Sequence, residues 1–373
     1  TVEMNSLIVI ALIVVGLIVA LEIVFRVVFP KPPSWPRPQV RSRLDRTFGY
    51  VHRPNQECYS VDAKATINSA GFRGREPLSD RTSGDIRVLS LGNSLTFGNG
   101  VADDETYPAQ LEHQLREQYG PRVEVINAGI GAFTIRQYVA FVEHKLAELE
   151  PDLLVIGMQW LDLHHHARIG QKEGKVSTEA WAAIKKRVDE TDASLTAPKS
   201  RREKLTDVVR HWRTFYVLYH GVQERRGLKR WAHRLNWAMR MLDGNVGNEI
   251  SERLDFSAEK LSYIAQLCDQ HSVNFVIAFF PDFRQIFRDY PNSVWPTALS
   301  EACDKAGIAN VSLLPGLREA RARRGKKIFV PYDITHYALD GNVAIARTIT
   351  TKIQELGLLT RESSPVAKGQ NAS

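Results

Sequence analysis

From Ile86 onward the chain alternates short apolar runs with amphipathic stretches, and that alternation leaves few architectures open. The apolar runs are residues 86–91, 122–126, 153–157, 274–280 and 308–313. Between and after them, residues 105–119, 134–149, 257–271, 295–306 and 340–356 read as helices. Strands that alternate with helices are joined by crossovers, so they run parallel in a sheet covered on both faces. The expected fold is a three-layer α/β/α sandwich around a parallel sheet. In such a sheet ligands bind outside the carboxyl ends of the strands.

The first apolar run breaks at that edge into Gly92-Asn93-Ser94-Leu95-Thr96-Phe97-Gly98-Asn99-Gly100. A strand that ends at a glycine and passes through a serine toward a helix presents the serine hydroxyl. Far along the chain, Asp333-Ile334-Thr335-His336 supplies a carboxylate and an imidazole three residues apart. A weakly nucleophilic hydroxyl needs such partners to attack at neutral pH. Taken singly, Ser94 also reads as a helix N-cap, and Asp333 and His336 as a turn. Gly92, Gly98 and Gly100 do not make a phosphate loop, because its lysine and spacing are absent.

Before this domain, residues 7–29 form an apolar stretch long enough to cross a bilayer, which takes about 20 helical residues. Residues 1–30 are therefore expected to be a single-pass membrane anchor, with Glu22 and Arg26 paired or snorkelling near its end. The proline-rich segment 31–46 reads as an extended spacer holding the body off the membrane, and 47–82 as an arm of short strands and turns packed on the main domain. The main domain spans 83–360, interrupted by a helical insertion at 163–250, and a polar tail at 361–373 is expected to be disordered.

The insertion concentrates the charge. Residues 199–240 carry twelve Lys and Arg against three Asp and Glu, more than the whole chain's formal +7. Trp212, Phe215, Tyr216 and Tyr219 share one helical face, and Leu228, Trp231, Leu235, Ala238 and Leu242 another. Such stripes suit a protein partner or a membrane surface through 199–242, although many simply pack on their own domain. Nucleic-acid binding gains nothing beyond this basic segment. No cofactor is expected. Adjacent His164, His165 and His166 do not converge on one helical face, so no metal site is expected either. Cys58, Cys268 and Cys303 make neither a disulfide framework nor a zinc motif.

These residues resemble the SGNH (GDSL-type) hydrolase superfamily, particularly its membrane-anchored bacterial members linked to acyl groups on cell-envelope polysaccharides. The resemblance covers roughly residues 47–356 apart from the insertion. Gly92-Asn93-Ser94 matches the first block with Asn93 in the acidic position, Asp333 and His336 match the last, and the arm segment Asn68-Ser69-Ala70-Gly71-Phe72-Arg73 is similar to the one that precedes the first block. The middle blocks depart from the pattern. In Asn127-Ala128-Gly129-Ile130-Gly131-Ala132 the oxyanion-hole glycine falls at Ala132 unless the loop shifts to Gly131, and Leu161 replaces the asparagine that donates to the oxyanion.

The resemblance implies that Ser94 is nucleophile, His336 base and Asp333 its orienting acid. The backbone N–H groups of Ser94 and of Gly131 or Ala132 would form the oxyanion hole, with Gln159 or His164 as replacement donors. Losing one preorganised donor costs on the order of 10²–10³ in turnover. Two functions follow as expectations: an anchored esterase or O-acyltransferase acting on an acylated envelope glycan, or a catalytically retired accessory subunit of a larger membrane complex. The resemblance implies an extracytoplasmic body, whereas Arg26, Lys31, Arg37, Arg41, Arg43 and Arg46 after the helix favour, taken alone, the cytoplasmic side.

Overall fold

A computed structural model describes residues 2–359, apart from 79–80, 83, 164–170, 173–174, 177–180, 183, 187, 191, 193–199, 211, 220–235 and 334. Helix α1 (Val2–Val28) leads into two antiparallel pairs, β1 (Ser42–Asp45) with β2 (Gly49–His52) and β3 (Gln56–Ser60) with β4 (Ala63–Ile67). The main domain then runs β5 (Ile86–Gly92), α2 (Ser94–Phe97), α3 (Tyr107–Tyr119), β6 (Val123–Gly129), α4 (Ile135–Leu149) and β7 (Leu153–Met158). The insertion contributes α5 (Arg201–Arg210) and α6 (213–219). The alternation resumes with α7 (Asn248–Gln270), β8 (Asn274–Phe279), α8 (Thr297–Lys305), β9 (Ala309–Ser312), α9 (Leu314–Arg324) and α10 (Leu339–Glu355).

The five-stranded sheet has the order β9-β8-β7-β5-β6, and every neighbouring pair is parallel. Counted along the chain this is 2-1-3-4-5 from one edge, the flavodoxin-like order, whose switch point lies between β5 and β7. Because side chains alternate along a strand, each strand feeds two cores. Leu89, Leu91, Leu154, Ile156, Ile277 and Phe279 face one layer, where Tyr138 and Phe141 of α4, Leu261 and Ile264 of α7 and Leu299 of α8 cover them. Val88, Leu153, Val155, Val276 and Ala278 face the other, covered by Leu111 and Leu115 of α3, Leu317 of α9 and Ile345, Ile349 and Ile353 of α10. The i, i+4 spacing within these helices puts each apolar stripe on one side.

Three boundaries differ from the sequence reading. β6 runs on to Gly129, three residues beyond its apolar run, because Asn127-Ala128-Gly129 stays paired with Ser90-Leu91-Gly92. α7 begins at Asn248, inside the stretch assigned to the insertion, with Ile250 and Leu254 already in the core. Segment 31–46 is not a stand-off spacer. Ser34 and Trp35 donate backbone N–H bonds to Asp62 at 2.8 Å, Gln39 exchanges bonds with Val61, and 42–45 form β1.

In the insertion, Trp237, Ala238, Met241 and Leu242 are buried, and the Trp237 ring lies 5.9 Å from that of Trp160. Leu228, Trp231, Leu235 and the tail 361–373 lie outside the described residues. Along α1, Ser6–Val28 is long and apolar enough to span a membrane, and its apolar side chains are exposed. All three cysteines are free and buried.

Candidate active site

The site is built from the end of β5. Asn93 leaves the strand at φ −94 and ψ −149, its Oδ1 accepts the Leu95 N–H at 2.9 Å, and α2 closes at Gly98 with φ +81. Asn93 is thus the N-cap of α2, so the Ser94 hydroxyl is left for other work. Beneath this turn three glycines stand in register across neighbouring strands, Gly129 and Gly157 on either side of Gly92. A Cβ would lie 2.0 Å from Thr96 Oγ1 at Gly92, 2.1 Å from the Phe97 nitrogen at Gly129 and 2.7 Å from the Tyr107 hydroxyl at Gly157. Bare backbone on three strands lets α2 rest directly on the sheet. Thr96 Oγ1 is pinned to the Tyr107 hydroxyl at 2.9 Å, and Ser90 Oγ donates to the same hydroxyl at 3.0 Å.

The final loop brings the two distant residues to this turn. His336 Nε2 is 2.9 Å from Ser94 Oγ, and His336 Nδ1 is 2.6 Å from Asp333 Oδ2. The carboxylate can only accept, so Nδ1 carries the proton and Nε2 faces the serine as acceptor. Asp333 Oδ1 also accepts the backbone N–H groups of Thr335 and His336. Burial alone would raise the Asp333 carboxyl, but the His336 imidazole and these N–H groups outweigh it and hold it below the ordinary value. Gly100 packs against Val330, where a Cβ would stand 2.9 Å from Cγ1, and the Val330 N–H donates to the His336 carbonyl. The segment after the serine therefore supports the loop that carries its partners.

The arm clamps the other side of the turn. Arg73, 4% exposed, donates from Nη1 to the carbonyls of Phe97 (2.7 Å) and Gly98 (2.6 Å), from Nη2 to Val101 (2.5 Å) and from Nε to Asp103 (2.8 Å). Its guanidinium lies 4.5 Å from the Phe97 ring centroid. His52 Nε2 reaches the Gly129 carbonyl at 3.3 Å, and burial pushes its imidazole down to about 4, leaving it neutral at pH 7. Tyr50 donates to the Gly131 carbonyl at 2.6 Å and so fixes the loop after β6.

That loop holds the expected oxyanion donors. Ala132 has φ +62, a left-handed conformation that costs a residue with a Cβ about 1–2 kcal/mol and suits the glycine whose place it takes. Among the described residues no acceptor engages the backbone N–H of Ser94, Gly131 or Ala132. Leu161 lies on the 3₁₀ turn Trp160–Leu163 after β7, with Gln159 buried just before it. His164, like His165 and His166, lies outside the described residues.

Asp162 is the functional neighbour that sequence reasoning missed. It is buried and accepts Asn93 Nδ2 (2.6 Å), the Tyr138 hydroxyl (3.0 Å) and the Gln159 N–H (2.9 Å), so the turn after β7 is tied to the residue before Ser94. Burial pushes its carboxyl up to about 7 against the pull of these three bonds. Asn93 in place of an acidic residue was the available signal, because an amide there can bond to a carboxylate where two carboxylates would repel.

No family model and no curated protein matches the chain. Solved structures are similar at low identity. A lipolytic protein of the G-D-S-L family from Desulfitobacterium hafniense DCB-2 matches at 11% identity and TM-score 0.39, over 72% of this chain and 99% of that one. The psychrotrophic esterase EstA from Pseudoalteromonas sp. matches at 10% and 0.38, over 73% and 98%. The acetylxylan esterase Axe2 from Geobacillus stearothermophilus matches at 12% and 0.40, over 72% and 94%. The strand order and the two helical layers make this a flavodoxin-like three-layer α/β/α fold, with Ser94, His336 and Asp333 in hydrogen-bonded sequence at its carboxyl edge.

Proposed function

We propose that the chain is a membrane-anchored serine ester hydrolase or O-acyltransferase acting on acyl esters of a cell-envelope polysaccharide, with its body on the extracytoplasmic side. The observation that carries this reading is the relay from Ser94 through His336 to Asp333. Ser94 Oγ attacks the ester carbonyl as its proton passes to His336 Nε2, and Asp333 stabilises the imidazolium. The tetrahedral oxyanion is held by the N–H groups of Ser94 and of Gly131 or Ala132. Collapse breaks the bond to the leaving alcohol, which takes the proton from Nε2, and leaves the acyl group on Ser94. Water then yields hydrolysis, or a second alcohol yields transfer, by the same steps in reverse.

The test is reaction of the folded protein with a fluorophosphonate, which phosphonylates an activated serine. An adduct at Ser94 by mass spectrometry, lost in His336→Ala, is the expected result. A folded sample that does not react would favour the second reading, an inactive accessory subunit of a membrane complex. That reading draws on Leu161, whose side chain has no hydrogen to donate. Leu161→Asn is accordingly expected to raise turnover of a simple ester by on the order of 10²-fold. Unchanged turnover in that variant would remove position 161 from the oxyanion site.

A further inference from the structure

Glu22 is the one buried side chain among residues 6–28 of α1, at 7% exposure, and protein donors surround it. Its carboxylate accepts Arg26 Nε at 2.9 Å, the Arg213 N–H at 3.0 Å, and the N–H (3.0 Å) and hydroxyl (2.8 Å) of Thr214. Arg213 also donates to the Arg26 carbonyl. The insertion helix α6 is therefore fastened to the last turns of α1. From α6 the contacts continue to the catalytic loop. The Tyr216 ring packs edge-on against Tyr332 at 4.9 Å, and the Tyr332 hydroxyl donates to the Pro30 carbonyl at 2.7 Å. Tyr332 directly precedes Asp333.

The outward side of this insertion segment carries Trp212 (45% exposed), Phe215 (45%), Leu218 (63%) and Tyr219 (41%). Taking α1 as a membrane span, as proposed above, depth follows from geometry. Glu22 lies six residues, or about 9 Å of helix, before the end of α1. The span Ser6–Val28 is about 35 Å of helix against a hydrocarbon core of roughly 30 Å, so Glu22 lies within about 7 Å of the headgroup boundary and the groups bonded to it stand at that edge of the core. Trp and Tyr favour that boundary, and Arg side chains beside it reach lipid phosphates.

We infer that the face formed by Trp212, Phe215, Leu218 and Tyr219 is seated in the lipid interface as a second foot beside the anchor. The occupant of the face is lipid, an assignment resting on its hydrogen-bonded continuity with the span. Its consequence for the reaction is positional. The Tyr332–His336 loop is held at the membrane surface, and the acyl ester it accepts is presented there rather than in bulk solution.

The test uses the full chain in vesicles of phosphatidylethanolamine and phosphatidylglycerol, with an environment-sensitive fluorophore on a single introduced cysteine. The three native thiols are buried. A label at Leu218→Cys is expected to emit blue-shifted light, to be quenched by lipids brominated near the headgroup end of the acyl chain, and to be shielded from aqueous iodide. Trp212→Cys, on the same segment, serves as a second reporter, and Glu117→Cys on α3 is expected to behave in the opposite way. Iodide access at 218 and 212 in vesicles where Val14→Cys is quenched by lipid would overturn the inference while leaving the anchor intact. Loss of lipid quenching at Val14 itself would remove the anchor reading and this inference together. Shielding at 218 in native membrane but not in pure lipid would also overturn it, in favour of a protein covering.

Discussion

Ser94→Ala is expected to lower ester turnover by on the order of 10⁴–10⁶ while leaving the fold in place. The size follows from the relay. Where a serine and its histidine act as a unit, removing either costs about as much as removing both, and only binding and oxyanion contacts remain. The fold survives because Ser94 is half-exposed and its hydroxyl bonds to His336, whereas the cap of α2 is supplied by Asn93. Losing one such partly exposed bond changes stability by only about 1 kcal/mol. His336→Ala is expected to match Ser94→Ala, and the double variant to be no worse than either. Turnover of p-nitrophenyl acetate measures the first effect and urea denaturation the second. Undiminished hydrolysis in folded Ser94→Ala would place the chemistry elsewhere.

Arg73→Ala is expected to damage the architecture that Ser94→Ala spares. It removes four charge-assisted bonds, to the Phe97, Gly98 and Val101 carbonyls and to Asp103. Phe97 and Gly98 lie at the carboxyl end of α2, where the helix dipole favours a cation. Only the long bonds from Asn127 Nδ2 and the Val101 N–H then remain on the Phe97 and Gly98 carbonyls, and the Asp103 carboxylate keeps its bonds from Thr66. Breaking a buried charged cluster from one side costs about 3–5 kcal/mol, visible as a lower urea midpoint. Turnover should fall as well, since misplacing a reacting group by an ångström costs on the order of 10²-fold. Arg73→Lys is expected to lie between, because an ammonium restores the ion pair but not the planar fork. An unshifted midpoint in Arg73→Ala would refute the clamp.

The sheet was legible because apolar runs flanked by amphipathic helices can be placed almost by length alone. Its end was less so. Asn127-Ala128-Gly129 looks like a turn in composition, yet it stays in the sheet, and Gly129 is required there by the close approach of the Phe97 nitrogen. Ser94, Asp333 and His336 could be placed because each stands at a chain break whose chemistry is written in adjacent residues. Asp162 could not. Its bonds are to Asn93 and Tyr138, 69 and 24 residues away, and the one trace of them, an amide at 93 where an acid is usual, does not say which carboxylate it meets. The proline-rich segment failed as a spacer for a similar reason. Its prolines set an extended path, but whether that path floats or lies on the body depends on Asp62, supplied by the turn between β3 and β4.

The glycine floor under α2 separates the lifetime of the scaffold from that of the chemistry. At Gly92, Gly129 and Gly157 an added methyl group would collide at 2.0–2.7 Å with the Ser94 turn or its Tyr107 support, so a lineage drifting through those positions meets a folding barrier at the first step. Ser94 meets none, because its hydroxyl has no structural task. Copies of this domain in which the Ser94 hydroxyl is not under selection should therefore shed the serine early and keep the glycines. A descendant with all three glycines and no serine would keep this sheet edge intact without the relay from residue 94 to His336 and Asp333.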